Sequence, residues 1–91
     1  MYLEIVSPEA TLFSGEVDSV AVPGVNGEFE MLNNHAAIVS LLKEGQVKIV
    51  GNITLEEEVE AKFTKSAKGF WLAIDSGTIE MKDNKVIVLA D

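Results

Sequence analysis

Residues 23–37 read Pro23-Gly24-Val25-Asn26-Gly27-Glu28-Phe29-Glu30-Met31-Leu32-Asn33-Asn34-His35-Ala36-Ala37, and the rest of the chain is organised around them. Pro23-Gly24 and Asn26-Gly27 both favour tight reversals, so the segment opens on turns. Glu28 to Leu32 then alternates: Phe29 and Met31 face one way, Glu28, Glu30 and Leu32 the other, the period of a half-buried strand. Asn33-Asn34 closes that strand, because asparagine accepts the left-handed backbone that most side chains avoid. His35, the one histidine of the chain, follows on the loop.

Outward from this stretch the same two-residue period recurs. Leu3 and Ile5 share a face in Tyr2–Val6, and Pro8, which cannot donate to a ladder, ends that strand. Thr11-Leu12-Phe13 runs into Ser14-Gly15, read as a turn or bulge, and Val17–Val22 is a further strand. Ile38–Leu42 is apolar on both faces except at Ser40, which fits either a buried strand or a helical turn. Val47 and Ile49, then Phe70, Leu72 and Ile74, then Ile79 and Met81 mark inward positions. Asp83-Asn84 suits a two-residue hairpin, and Lys85–Leu89 reads as buried on both sides. Short strands with turn signals every ~8 to 12 residues predict an all-β sandwich or barrel. Residues 51–69 fit least well. Thr54 with Glu57 has capping-box spacing, and Leu55, Val59 and Phe63 fit one helix face, whereas Val59, Ala61 and Phe63 alternate as a strand does. The segment is expected to be a longer, irregular insertion with a short helical piece, within a single domain spanning 1–91.

The chain has 91 residues, no cysteine and a formal net charge of −8. A domain this size buries roughly 60–65% of its unfolded surface, enough for a small core. Without cysteine there is neither disulfide framework nor thiolate chemistry. No apolar run approaches the ~18 residues of a membrane span, and no basic leader precedes the first strand. All seven basic residues are lysines, the first at Lys43. The first half therefore holds only acids: Glu4, Glu9, Glu16, Asp18, Glu28 and Glu30. Nucleic-acid binding is disfavoured by that balance, a basic protein partner is compatible with it, and the plainer reading of composition alone is a surface kept soluble by net charge.

Residue chemistry points away from catalysis. Glu28 and Glu30 stand roughly 7 Å apart on one strand face, but no nucleophile or closed pocket accompanies them. His35 lacks a second histidine or cysteine with which to build a zinc site. Ser40 and Ser76 are formally available for a triad, yet Ser76 lacks a nucleophile elbow. Glu56-Glu57-Glu58 is a solvated run whose adjacent side chains do not converge on one ion. The glycines form no phosphate cradle. No catalytic residue, cofactor or metal site is expected.

Gly27-Glu28-Phe29-Glu30-Met31-Leu32-Asn33-Asn34-His35-Ala36-Ala37, the turn and apolar strand from Leu42 to Ile49, the opening Ile5–Glu9 with Leu12–Val17 and the ending Asp83–Asp91 together resemble the epsilon subunits of F-type ATP synthases. The resemblance implies a β-sandwich of about ten short strands that catalyses nothing. It implies a rotor part of the central stalk, gripping the gamma subunit and resting on the membrane c-ring, so that proton flow is coupled to ATP synthesis. By position, it places the c-ring contact at Asn26, Glu28, Asn33, Asn34 and His35, and the gamma contact at Ser7, Leu12, Val39, Ser40 and Leu42. It implies a peripheral location on the cytoplasmic face of the inner plasma membrane.

Several features depart from that family's pattern. Asn33-Asn34 replaces its Pro-Gly, Glu30 replaces a glycine, and 51–68 is longer than the family hairpin. The family's C-terminal helical hairpin, which inhibits hydrolysis and in some members binds ATP, has no counterpart before Asp91. Neither self-inhibition nor ATP binding is therefore expected of these 91 residues. A generic β-sandwich binding or adhesion module is the alternative. It calls for an exposed aromatic platform, for which only Trp71 and Tyr2 are available.

Overall fold

The computed structural model describes residues 1–91 as ten strands and one short helix. In chain order the strands are β1 (Tyr2–Val6), β2 (Thr11–Glu16), β3 (Ser19–Gly24), β4 (Gly27–Met31), β5 (Ile38–Leu42), β6 (Gly45–Val50), β7 (Phe63–Lys65), β8 (Gly69–Ile74), β9 (Gly77–Lys82) and β10 (Lys85–Ala90), with α1 (Glu57–Glu60) between β6 and β7. They form one continuous sheet in the order β2-β1-β10-β9-β5-β3-β6-β8-β7, with β4 paired to β3. The join between β5 and β3 is a single pair, Gly24 with Leu42. There the sheet folds over into two layers, β2-β1-β10-β9-β5 and β4-β3-β6-β8-β7. Every neighbouring pair is antiparallel except β1 with β10, which closes the two ends of the chain in parallel register from Tyr2↔Lys85 to Val6↔Leu89.

The inner faces follow the period-two reading. Leu3, Ile5, Val86 and Val88 are fully buried in the first layer, together with Ile79 and Met81. Val20, Val22, Met31, Val47 and Ile49 answer them from the second. Matching rows such as Ile5–Val88–Ile79 cross three strands, so alternation along each strand becomes a continuous apolar sheet face. Of the charged side chains, none is buried; Ser19, the one buried polar residue, donates its hydroxyl to Glu30 at 3.2 Å.

Four local expectations are corrected. Pro23-Gly24 is no turn: both lie in β3, and the chain reverses over Val25-Asn26 between Gly24 and Gly27. A two-residue turn makes Gly24 and Gly27 a hydrogen-bonded pair, which leaves Pro23 opposite Glu28 at a position needing no N–H towards β4. The Pro23 carbonyl accepts the Lys43 N–H at 2.8 Å. Gly27, at φ 126°, occupies backbone space that an L side chain rarely adopts. Ser14-Gly15 likewise runs inside β2, where the Phe13 ring covers the glycine; the irregularity lies opposite Ile5/Val6 instead. Thr54 caps nothing: Glu56 precedes α1 and makes no side-chain cap bond. Finally, Lys85–Leu89 is buried on one side only, because Leu89 is 51% exposed.

Ile38–Leu42 resolves as a strand, and residues 51–69 hold α1 and β7. Leu55, Val59 and Phe63 all join the core, but they do so from a loop, a single helical turn and a strand. The Phe63 ring meets Phe70 edge-on, with centroids 6.5 Å apart and planes at 87°, a favoured aromatic geometry.

Candidate functional site: two outer sheet faces and the ends of strand β4

The outer face of the first layer is unusually apolar. Leu41, Thr78, Leu89 and Val6 form one row across β5, β9, β10 and β1, and Val39, Glu80, Ile87 and Glu4 form the next. Val39 is 74% and Leu41 63% exposed, although both are strand residues beside exposed Leu89. Solvent-facing strand positions ordinarily carry polar side chains, so this cluster is surface that folding alone does not require. Of the residues expected on a gamma-facing side, Val39 lies in it. Ser7 is half-buried at the β1 end, where its hydroxyl caps the Ser7–Ala10 turn. Ser40 is half-buried and opposite Ile79, on the inward rows. Leu12 and Leu42 are core residues, so they support that face from beneath. Leu41, Leu89, Ile87 and Val6 belong to the cluster as well; all but Val6 lie in the two runs that the sequence shows as apolar on both faces, where Val39/Leu41 and Ile87/Leu89 alternate with inward neighbours.

The second outer face is chemically different. Glu28 Oε1 lies 3.0 Å from Lys48 Nζ, and that ammonium sits 4.6 Å from the centre of the Trp71 ring. Cross-strand register sets Lys48 beside Trp71: Glu30, Ala21, Lys48 and Trp71 form one row across β4, β3, β6 and β8, and Glu28, opposite Pro23, reaches Lys48 diagonally. Ala21 is the small member, and over it runs a groove of about 430 Å³ whose walls include Glu28, Glu30, Lys48, Lys68 and Trp71. Tyr2 carries a lysine too, Lys85 at 5.6 Å. It lies in the first layer and Trp71 in the second, so the two aromatics form no common platform.

The expected c-ring residues do not share one rim. Asn26 and Glu28 stand at the β3–β4 turn, whereas Asn33, Asn34 and His35 follow the far end of β4, roughly 13 Å of strand away. Chain order already implies this, since Asn26 precedes the strand and Asn33 follows it, and an extended strand carries its two flanking loops to opposite ends. The far end is tightly built. The Met1 ammonium donates to Asn33 Oδ1 at 2.6 Å and to the Val17 carbonyl at 3.3 Å, and lies 3.4 Å from Glu16. Asn34, at φ 62°, donates its N–H to Asn84 Oδ1 at 2.8 Å. The His35 N–H donates to the Leu32 carbonyl at 3.1 Å, and Nδ1 lies 2.8 Å from the Ala36 carbonyl. No three histidine, cysteine or carboxylate side chains converge as a cation would need.

Residues 1–91 match the family described as "ATP synthase, Delta/Epsilon chain, beta-sandwich domain" over their full length. The chain belongs to that family. Among its curated relatives are the ATP synthase epsilon chain of Campylobacter fetus subsp. fetus, 44% identical over 91 residues, and that of Chlorobaculum tepidum, 36% identical over 89 residues. This delta/epsilon domain spans 60% of the Campylobacter protein and 86% of the Chlorobaculum one. Its fold is also that of a chain in the cryo-EM structure of the Tetrahymena thermophila mitochondrial ATP synthase central stalk and c-ring, at a TM-score of 0.73 and 14% identity over 99% of this chain and 62% of that one. The two-layer, ten-strand architecture is thus the β-sandwich that gives the family its name. No helix of this domain is long and apolar enough to cross a membrane.

Proposed function

We propose that this domain is a non-catalytic rotor element of a proton-translocating F-type ATP synthase, joining the gamma subunit to the membrane c-ring so that proton flow drives ATP synthesis. It would sit peripherally, at the cytoplasmic face of the inner plasma membrane. The observation that carries this reading is the apolar outer face of the first layer. A part that must turn without slipping needs an apolar interface, typically about 1,600 Å² of buried surface, and Val39, Leu41, Leu89, Ile87 and Val6 offer its centre outside the core. The gamma subunit is assigned to this face, with Ser7 at its margin and Leu12, Ser40 and Leu42 beneath. Membership of the epsilon-chain family and the likeness to a central-stalk chain support the same reading.

The c-ring contact is assigned to the polar groups at the two ends of β4, namely Asn26 with Glu28, and Asn33 with Asn34 and His35. One exposed ion pair contributes only ~0–1 kcal/mol, so Glu28 orients this contact while the apolar face provides the affinity. Co-purification with gamma and the c-ring tests the assignment. Leu41→Lys is expected to weaken gamma binding at least tenfold while leaving the urea midpoint within experimental scatter. Glu28→Lys is expected to retain gamma and loosen the c-ring. Full gamma binding by Leu41→Lys together with Val39→Lys would refute the assigned face.

A further inference from the structure

The two-layer sheet leaves strand edges open, and they are not equivalent. At the edge strand β2 the ladder with β1 is broken by a register shift at Ile5/Val6. β7 has three residues, with Lys65 among them and Lys62 just before it. Bulges, shortness and lysines are the usual ways of blunting an edge. β4 has none of them. Its five residues pair with β3 in unbroken register from Gly24↔Gly27 to Val20↔Met31, and β3 is its one partner. Because Gly24 and Gly27 form the hydrogen-bonded pair beside a two-residue turn, alternation makes 22/29 and 20/31 the other hydrogen-bonded pairs. The backbone N–H and C=O groups of Glu28 and Glu30 therefore point away from β3, along an edge where both residues are exposed.

We propose that the free edge of β4 accepts an extended polypeptide segment as an added strand, and that the segment carries basic side chains at alternate positions. Main-chain bonds to Glu28 and Glu30 would supply the pairing and the alternate side chains the selectivity, as in strand addition generally. The chemistry of the occupant follows from charge. Both carboxylates stand on the outer face at the two-residue period of an incoming strand. A second copy of β4 would set these acids against one another, and like charges directly opposite destabilise a strand pair. A segment with lysine or arginine two residues apart meets them in register, and the net charge of −8 draws it in. The groove over Ala21 gives its long side chains room beside Glu28 and Glu30. An entering cation competes with Lys48 for Glu28, and Lys48 lies on Trp71, the one tryptophan of the chain, so occupancy reaches an intrinsic fluorophore.

The inference shares Glu28 with the c-ring contact proposed above and adds the form and chemistry of the segment received there. Its test uses the 91-residue protein alone, without gamma or c-ring, so it can fail while the rotor reading stands, and the reverse. The probe is an acetylated, amidated heptapeptide of threonine and valine with lysines two positions apart. Controls replace lysine by glutamate, set the two lysines side by side, or place proline centrally. Expected results are a saturable change in Trp71 emission with the alternating-lysine peptide, and at least fivefold slower amide exchange at Glu28 and Glu30 at saturation. The glutamate and proline peptides should not bind. Glu30→Gln should weaken binding several-fold and Glu30→Lys at least tenfold, each with its unfolding midpoint checked. Absence of saturable binding overturns the proposal. So does binding that leaves the Glu28 and Glu30 amides unprotected, or equal affinity for the proline peptide, since either outcome means ion pairing without strand addition.

Discussion

Asn84 does two jobs at the tip of the β9–β10 hairpin. With Asp83 at φ 52° and Asn84 at φ 61°, the pair makes the doubly left-handed turn whose twist matches the flanking strands. The Asn84 side chain also receives the Asn34 N–H. The two roles separate by substitution. Asn84→Gly keeps the backbone and loses the bond, whereas Asn84→Ala loses both, so the alanine variant should be less stable than the glycine variant by about 1–2 kcal/mol in urea titrations. Asn33→Ala removes a 2.6 Å bond to the Met1 ammonium and should cost about 2 kcal/mol, the scale of a hydrogen bond to a charged group. The Asp83-Asn84 turn was legible because its residue types name the backbone they permit. The link from Asn33 to Met1 was not, because 32 positions separate the partners and no local pattern joins them.

At the scale of elements, strands with one buried face were readable and the rest were not. Val47/Ile49, Ile79/Met81 and Leu3/Ile5 alternate because one side of each strand meets the core. Ile38–Leu42 and Lys85–Leu89 are apolar on both sides, a pattern that shows apolar surface beyond one core face but not whether another layer or solvent meets it. Residues 51–69 misled for another reason: Leu55, Val59 and Phe63 satisfy helical spacing while being delivered to the core by three different local structures. The segment nevertheless contributes to stability. Phe63→Ala removes a core ring packed against Phe70 and should cost about 3 kcal/mol, seen as a lower denaturation midpoint. Gly69→Ala should be at least as damaging for a different cause: a Cβ there would overlap the Ile49 carbonyl oxygen, and β8 would have to leave β6 to make room.

Taken whole, the molecule joins its first strand to its last, with Tyr2 opposite Lys85, and threads every other strand between them. Such distant pairing must be closed before it is rewarded, so folding should occupy the millisecond-to-second range of non-local β proteins, measurable by stopped-flow Trp71 fluorescence. One continuous sheet should also unfold as one unit, with fluorescence and far-ultraviolet circular dichroism transitions coinciding. ATP should leave the melting temperature unchanged; a ligand that bound the native state would raise it. Read alone, the amino-acid order established an all-β chain, most of its inward residues, its acidic character and, through several motif stretches in register, its kinship. Those properties are local, written in side-chain type and a period of two. Strand assembly was needed to show that Val39, Leu41 and Leu89 share one bare face, that the Met1 ammonium reaches Asn33, and that Lys48 bridges Glu28 to Trp71. Each depends on which strands become neighbours and in what register, and hydrophobic alternation is the same for every neighbour a strand could have.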